Sequence, residues 1–140
     1  MAKMYVTWNQ VEEFVECVAK QIEDNKINIS GVYGIPRGGL VFAVMLSHRL
    51  HIPMLASATS DCLIVDDICD SGESLIHFVK NTSNPNEPKP LIATMFYKEN
   101  KLGVVPDFYK FVKTDQWIVF PFEYDLEREE GDKIICLNQK

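Results

Sequence analysis

Cationic side chains are the scarce commodity of this sequence. Its 140 residues hold 14 Lys and Arg against 20 Asp and Glu, a formal charge of −6. Nothing gathers the positive charges into a patch, so a nucleic-acid backbone would find no matching surface and no nucleic-acid partner is expected. Long apolar runs are missing too. None approaches the roughly 20 residues of a membrane-spanning helix, and Met1-Ala2-Lys3-Met4-Tyr5 has no apolar signal core. The four cysteines, Cys17, Cys62, Cys69 and Cys136, lack any Cys-x-x-Cys spacing. Scattered in this way they fit reduced thiols better than a disulfide frame or a zinc site. Together these gaps lead to the expectation of a cytoplasmic protein with no membrane partner.

What is present fits one domain over residues 1–140, with 46% hydrophobic and 24% charged residues. The negative charge is concentrated: Glu123 to Asp132 carries six acids against Arg128 alone, the composition of a solvated loop or helix face. The most informative stretch is Leu63-Ile64-Val65-Asp66-Asp67-Ile68-Cys69-Asp70-Ser71-Gly72-Glu73-Ser74. Leu63–Val65 reads as a buried parallel strand that ends in two carboxylates. An apolar strand would not carry Asp66 and Asp67 inward without a partner or a cation. Ser71, Gly72 and Ser74 then lead into the helical pattern Leu75, Ile76, Phe78, Val79. A turn of that kind aims backbone N–H groups, hydroxyls and the helix dipole at one spot, which suits a phosphate. The acidic pair beside it suits sugar hydroxyls or hydrated magnesium. N-capping by Ser71 or Ser74 would explain one residue and leave the acidic pair without a role.

One βα unit earlier, Pro36-Arg37-Gly38-Gly39 follows Ile29–Ile35, which reads as the first central strand, and precedes a helical pattern over Leu40–Leu50. Such a bend again directs backbone donors, and here a fixed cation, at one point. The Leu63–Ser74 stretch resembles the phosphoribosyl-pyrophosphate (PRPP) signature of the type I phosphoribosyltransferases: strand, two acids, a spacer, then Asp-Thr/Ser-Gly-x-Thr/Ser. The resemblance implies that Asp66 and Asp67 bind ribose hydroxyls and magnesium (Mg2+), that Ser71, Gly72, Glu73 and Ser74 hold the 5-phosphate, and that Asp70 is the general base. It also implies that Arg37, Gly38 and Gly39 hold the pyrophosphate.

The remaining pattern is read in order. Thr7-Trp8-Asn9-Gln10 has capping-box spacing, and Val11, Phe14, Val15, Val18 and Ile22 keep a helical period to about Asp24-Asn25. His48 and His51 mark the end of the second helix. Pro53–Ala56 is expected to be a short strand, followed by Ser57–Cys62. Type I phosphoribosyltransferases usually carry a longer lid there, and six residues doubled back reach only about 10 Å. After the polar loop of residues 81–90, Leu91–Tyr97 is the next buried strand and Lys98 emerges at its carboxyl end. Asp107–Val112 supplies a further strand, Asp115–Glu123 closes the recognisable part, and Lys133–Leu137 is an edge strand or tail.

This second half resembles the bacterial xanthine–guanine phosphoribosyltransferases, with a strand ending in Lys and a Trp-Ile-x-x-Pro-aromatic-acid segment. By that resemblance Lys98 donates to a purine 6-oxo group, Trp117 stacks on the base, and the backbone near Ile118 meets its exocyclic position. The expected fold is α/β, a doubly wound, mostly parallel sheet with a small hood from the C-terminal part. The expected function is transfer of a 5-phosphoribosyl group from PRPP to a purine base by a homo-oligomer, since the family is commonly dimeric or tetrameric. Two alternatives stand beside it: a lidless PRPP- or nucleotide-binding regulatory protein, and a transferase acting on another acceptor such as a pyrimidine.

Overall fold

Thr7 and Gln10 close the first helix reciprocally. The Thr7 hydroxyl accepts the Gln10 backbone N–H at 3.2 Å, and the Gln10 side-chain oxygen accepts the Thr7 N–H at 2.9 Å. In the computed structural model, which describes residues 2–82 and 84–127, this helix, α1, runs Trp8–Asp24 and buries Val11, Phe14, Val15, Val18 and Ile22. The stripe expected from the sequence is the buried one. Helix α2, Gly38–Leu50, ends with His48 in its last turn and His51 as a left-handed cap at φ 55°. Its Arg49 clamps α1 through Glu16 at 2.7 Å and Glu23 at 2.8 Å, a link between distant residues that no local pattern announces.

Among the described residues four strands form the main sheet, β2 Val32–Gly34, β3 Leu63–Cys69, β4 Leu91–Tyr97 and β5 Phe108–Val112, all parallel in that order, and β1, Lys3–Tyr5, stands apart from it. On the outer side of β2, Met54 makes a parallel bridge to Val32, held by Val32 N–H to Pro53 O at 2.9 Å and Leu55 N–H to Val32 O at 2.8 Å. The chain therefore travels outward from β2 through α2 to Met54, then returns to β3 on the other side of β2. The winding direction reverses between β2 and β3. One face packs on α1 and α2; the other packs on α3, Glu73–Thr82, through Leu75, Phe78 and Val79. This is the doubly wound α/β arrangement, and the carboxyl edge at its switch point is where such sheets bind ligands.

Three expectations need correction. The strand over Pro53–Ala56 shrinks to the single bridge at Met54. The strand expected to stop at Val65 continues through the acidic pair to Cys69, because β4 keeps pairing with it as far as Cys69↔Tyr97. The hood is not C-terminal alone: β6, Trp117–Val119, pairs in parallel with β1. Lys3 ties the same region together through Asp125 at 3.3 Å and Glu127 at 2.6 Å. The expected segment Lys133–Leu137 lies outside the described residues. Among the described residues no helix is long and apolar enough to cross a membrane.

Candidate active site

The acidic pair sits where β3 changes phase. Leu63 and Val65 belong to the core on the α1/α2 side and Ile64 to the core on the α3 side, but past the pair Ile68 joins the first and Cys69 the second. The carboxylates themselves close the irregularity. Asp66 Oδ1 accepts the Asp67 N–H at 2.8 Å, and Asp67 Oδ1 accepts the Ile68 N–H at 2.7 Å. Both residues are half-buried. Burial, and then the neighbouring charge of Asp67, push the Asp66 carboxyl up to about 8. Each carboxylate keeps its second oxygen clear of these backbone bonds.

The Arg37 loop is pressed against this pair. A Cβ built at Gly38 would strike the Asp67 carboxylate, and one at Gly39 would strike the Val65 carbonyl oxygen. Only glycine permits that approach. The Pro36–Arg37 peptide is cis. Arg37, Gly38, Val41 and Asp67 line a cavity of about 660 Å³ together with Phe122, Glu123 and Tyr124. Those last three were not singled out as site residues from the sequence, although the aromatic-acid pair after Pro121 carried the signal. Phe122 is fixed by stacking on Phe120 at 5.4 Å and by an edge contact to Phe42 at 5.9 Å. The Glu123 carboxylate accepts the Phe120 N–H at 3.0 Å.

On the other flank of the pair, Asp70, Ser71 and Glu73 line a second cavity of about 650 Å³ with residues 99–102. Gly72 turns the chain there at φ 81°, a conformation that side chains resist, and Val104 and the Asn100 side chain cover it. Asn100 holds that cover in shape: its amide oxygen accepts the Val104 N–H at 2.9 Å while its NH2 donates to the Val104 carbonyl at 2.8 Å. Cys69 fills the space beneath, its thiol donating to Val104 O at 3.7 Å and pushed up to about 11 mainly by burial. Asp70 pairs with Lys113 at 3.3 Å, a contact the sequence did not suggest.

The structure thus brings Arg37, Gly38, Gly39, Asp66 and Asp67 together, and Asp70, Ser71 and Glu73 around an adjoining cavity, with Ser74 in the first turn of α3. Lys98 lies half-buried just past β4, as expected. Trp117 is on the hood with 58% of its surface exposed, and Ile118 beside it is buried in the core. Neither Lys98 nor Trp117 lines the two cavities. Residues 57–62 do not cover the site. Asp61 accepts hydrogen bonds from the Ser30 and Thr59 hydroxyls at 2.8 Å each, and its carbonyl accepts the Ser30 N–H at 3.0 Å. Ser30 precedes β2, so the segment is tied to the edge opposite Arg37 and Asp66.

No family model matches the chain. It is 25% identical over 150 residues to the xanthine-guanine phosphoribosyltransferase of Idiomarina loihiensis, covering 89% of each chain. A hypothetical protein from Neisseria gonorrhoeae with bound ppGpp shares its fold at 20% identity, with a TM-score of 0.69 over 88% of this chain and 90% of that one. The crystal structure of a purine phosphoribosyltransferase from Pyrococcus horikoshii superimposes with a TM-score of 0.74, at 30% identity, over 93% of this chain and 100% of its own. Near-complete coverage at that identity, on a sheet whose switch point carries the acidic pair, means that the chain belongs to the purine phosphoribosyltransferase family.

Proposed function

We propose that this protein transfers the 5-phosphoribosyl group of PRPP to a ring nitrogen of a 6-oxopurine and releases pyrophosphate. The observation that carries the reading is the contact of the Arg37–Gly39 loop with Asp67 at the β2/β3 switch point. It sets a cationic bend and a carboxylate pair beside the turn that opens α3. In the reaction the C1–O bond to pyrophosphate breaks and a purine N–C1 bond forms, while the proton on the purine passes to the Asp70 carboxylate. Arg37 and the Gly38–Gly39 backbone bind the leaving pyrophosphate, Asp66 and Asp67 orient the ribose hydroxyls, and the Ser71–Ser74 turn holds the 5-phosphate. Lys98 donates to the 6-oxo group, Trp117 supplies a stacking face, and the backbone at Ile118 meets the exocyclic position.

Magnesium fits the acidic pair. Asp66 is a carboxylate whose charge is held at a cost, and each carboxylate has one oxygen already taken by a backbone N–H. An ion that uses one or two carboxylates and completes its shell with substrate phosphates and water matches that donor set. When bound it would neutralise charge on the pyrophosphate.

The test is steady-state nucleotide formation from PRPP and magnesium with guanine, xanthine or hypoxanthine in turn. Turnover is expected with at least one base, and Asp70→Asn is expected to lower kcat by about 10²–10⁴-fold. Lys98→Ala is expected to raise KM for the 6-oxopurine about 10- to 100-fold, as the loss of a charged hydrogen bond would. An unchanged acceptor preference in that variant would overturn the base pocket. The anchorage of Asp61 to Ser30 favours one second reading, a lidless protein that binds PRPP or a nucleotide with little transfer. Tight binding of PRPP without turnover would select it.

A further inference from the structure

Lys113 has no part in the roles above, yet it reaches the proposed proton acceptor. Strands β3, β4 and β5 end level with one another, Cys69 opposite Tyr97 and Tyr97 opposite Val112. Asp70, Lys98 and Lys113 are therefore the next residues of three adjacent chains. The backbone continues the row, with Lys98 N–H to Cys69 O at 2.8 Å and Lys113 N–H to Tyr97 O at 2.7 Å. Neighbouring strands lie about 4.8 Å apart, so the backbones at Lys113 and Asp70 stand about 10 Å from each other, a gap that the lysine stem and the aspartate side chain span together across the middle strand. The ammonium ends 3.3 Å from Asp70 Oδ2.

The two partners are unequally held. The Lys113 side chain is 15% exposed and Asp70 is 55% exposed. An ion pair between two mobile surface chains contributes little, because both must be ordered to form it. Here the stem of the lysine is already fixed by packing. It lines a cleft with Phe111, Val112, Gln116 and Ile118, so its ammonium ties the exposed carboxylate to the chain that leads into the hood. The hood is the side on which the purine is proposed to bind.

We infer that Lys113 is a positioning residue for phosphoribosyl transfer, holding the Asp70 carboxylate toward the purine nitrogen whose proton it takes. The inference rests on the assignment of Asp70 under the proposed function. Its action runs through Asp70, so it predicts strong coupling between the two residues.

The experiment is a double-mutant cycle on the full chain with PRPP, magnesium and the best purine. Lys113→Met keeps the stem and removes the charge; it is expected to lower kcat about 10- to 100-fold, with KM for PRPP within about twofold. In an Asp70→Asn background the same change should alter single-turnover rate by less than about twofold. Lys113→Arg should recover a large part of the loss. Equal losses in both backgrounds, or a loss confined to the KM for PRPP, would overturn the inference while leaving the transferase reading intact. A wild-type protein without turnover would overturn the transferase reading and the inference with it. If Lys113→Met fails to fold, Lys113→Gln and Lys113→Arg run the same cycle.

Discussion

Asp66→Asn is expected to melt about 5 °C or more above the wild-type protein at pH 8.5, and to lose about 10- to 100-fold in phosphoribosyl transfer. Burial first, and the charge of Asp67 second, push the Asp66 carboxyl up to about 8 in the folded chain. In the unfolded chain it titrates near the ordinary value of about 3.9. Between those values the native state holds a proton that the unfolded state has released, so wild-type stability falls as pH rises from about 4 to 8 and levels off above. Asparagine keeps an Oδ1 to accept the Asp67 N–H and carries no charge. The gain from the substitution should therefore be near zero at pH 4, grow through neutrality, and level off above pH 8. Thermal melts of both proteins from pH 4 to 9 provide the check. Melting curves that stay parallel across that range would show that the charge on Asp66 is not held at a cost. A residue retained at such a cost is the signature of a site whose geometry serves the ligand before the fold.

Gly39→Ala is expected to destabilise the protein by about 3 kcal/mol, whereas Gly38→Ala, one residue away, should cost mainly function. The alanine Cβ at position 39 would meet the Val65 carbonyl oxygen and come within 3.2 Å of the Asp66 Cα. Both belong to β3, which is paired on one side by β2 and on the other by β4, so neither can withdraw. The Cβ at position 38 would instead meet the Asp67 carboxylate, a side-chain end that can turn aside by giving up its hydrogen bond from the Ile68 N–H. Turning it displaces a proposed ligand of ribose and magnesium. Urea unfolding should then separate the two variants clearly, while Gly38→Ala raises the KM for PRPP. Equal destabilisation of both would mean that the loop, and not the strand, yields at position 39.

Much of the architecture is local enough to be read from the chain. Thr7 and Gln10 cap the helix they flank, the apolar stripe of α1 is a period within one element, and β4 begins and ends at the residues its pattern marks. The order of apolar runs and helical patterns dictates a doubly wound sheet, and with it the gathering of Arg37, Asp66 and Ser71 on one edge, because parallel strands joined by helices have all their carboxyl ends on the same side. What lies outside that reach is contact between residues far apart in sequence. The pairing of β1 with β6 joins segments more than a hundred residues apart, and neither short run advertises its partner. The change of phase at Asp66-Asp67 arises because two side chains take over backbone N–H groups, an option that a count of apolar residues cannot weigh. The tie of Asp61 to Ser30 decides which edge the short segment serves. Lys113 became a neighbour of Asp70 only when three strands ended level and the two side chains together could span the middle one. Sequence by itself determined the elements, their winding and the chemistry placed at the strand ends, since those depend on near neighbours. The tertiary structure alone decided which of those ends touch, since that depends on register across the sheet.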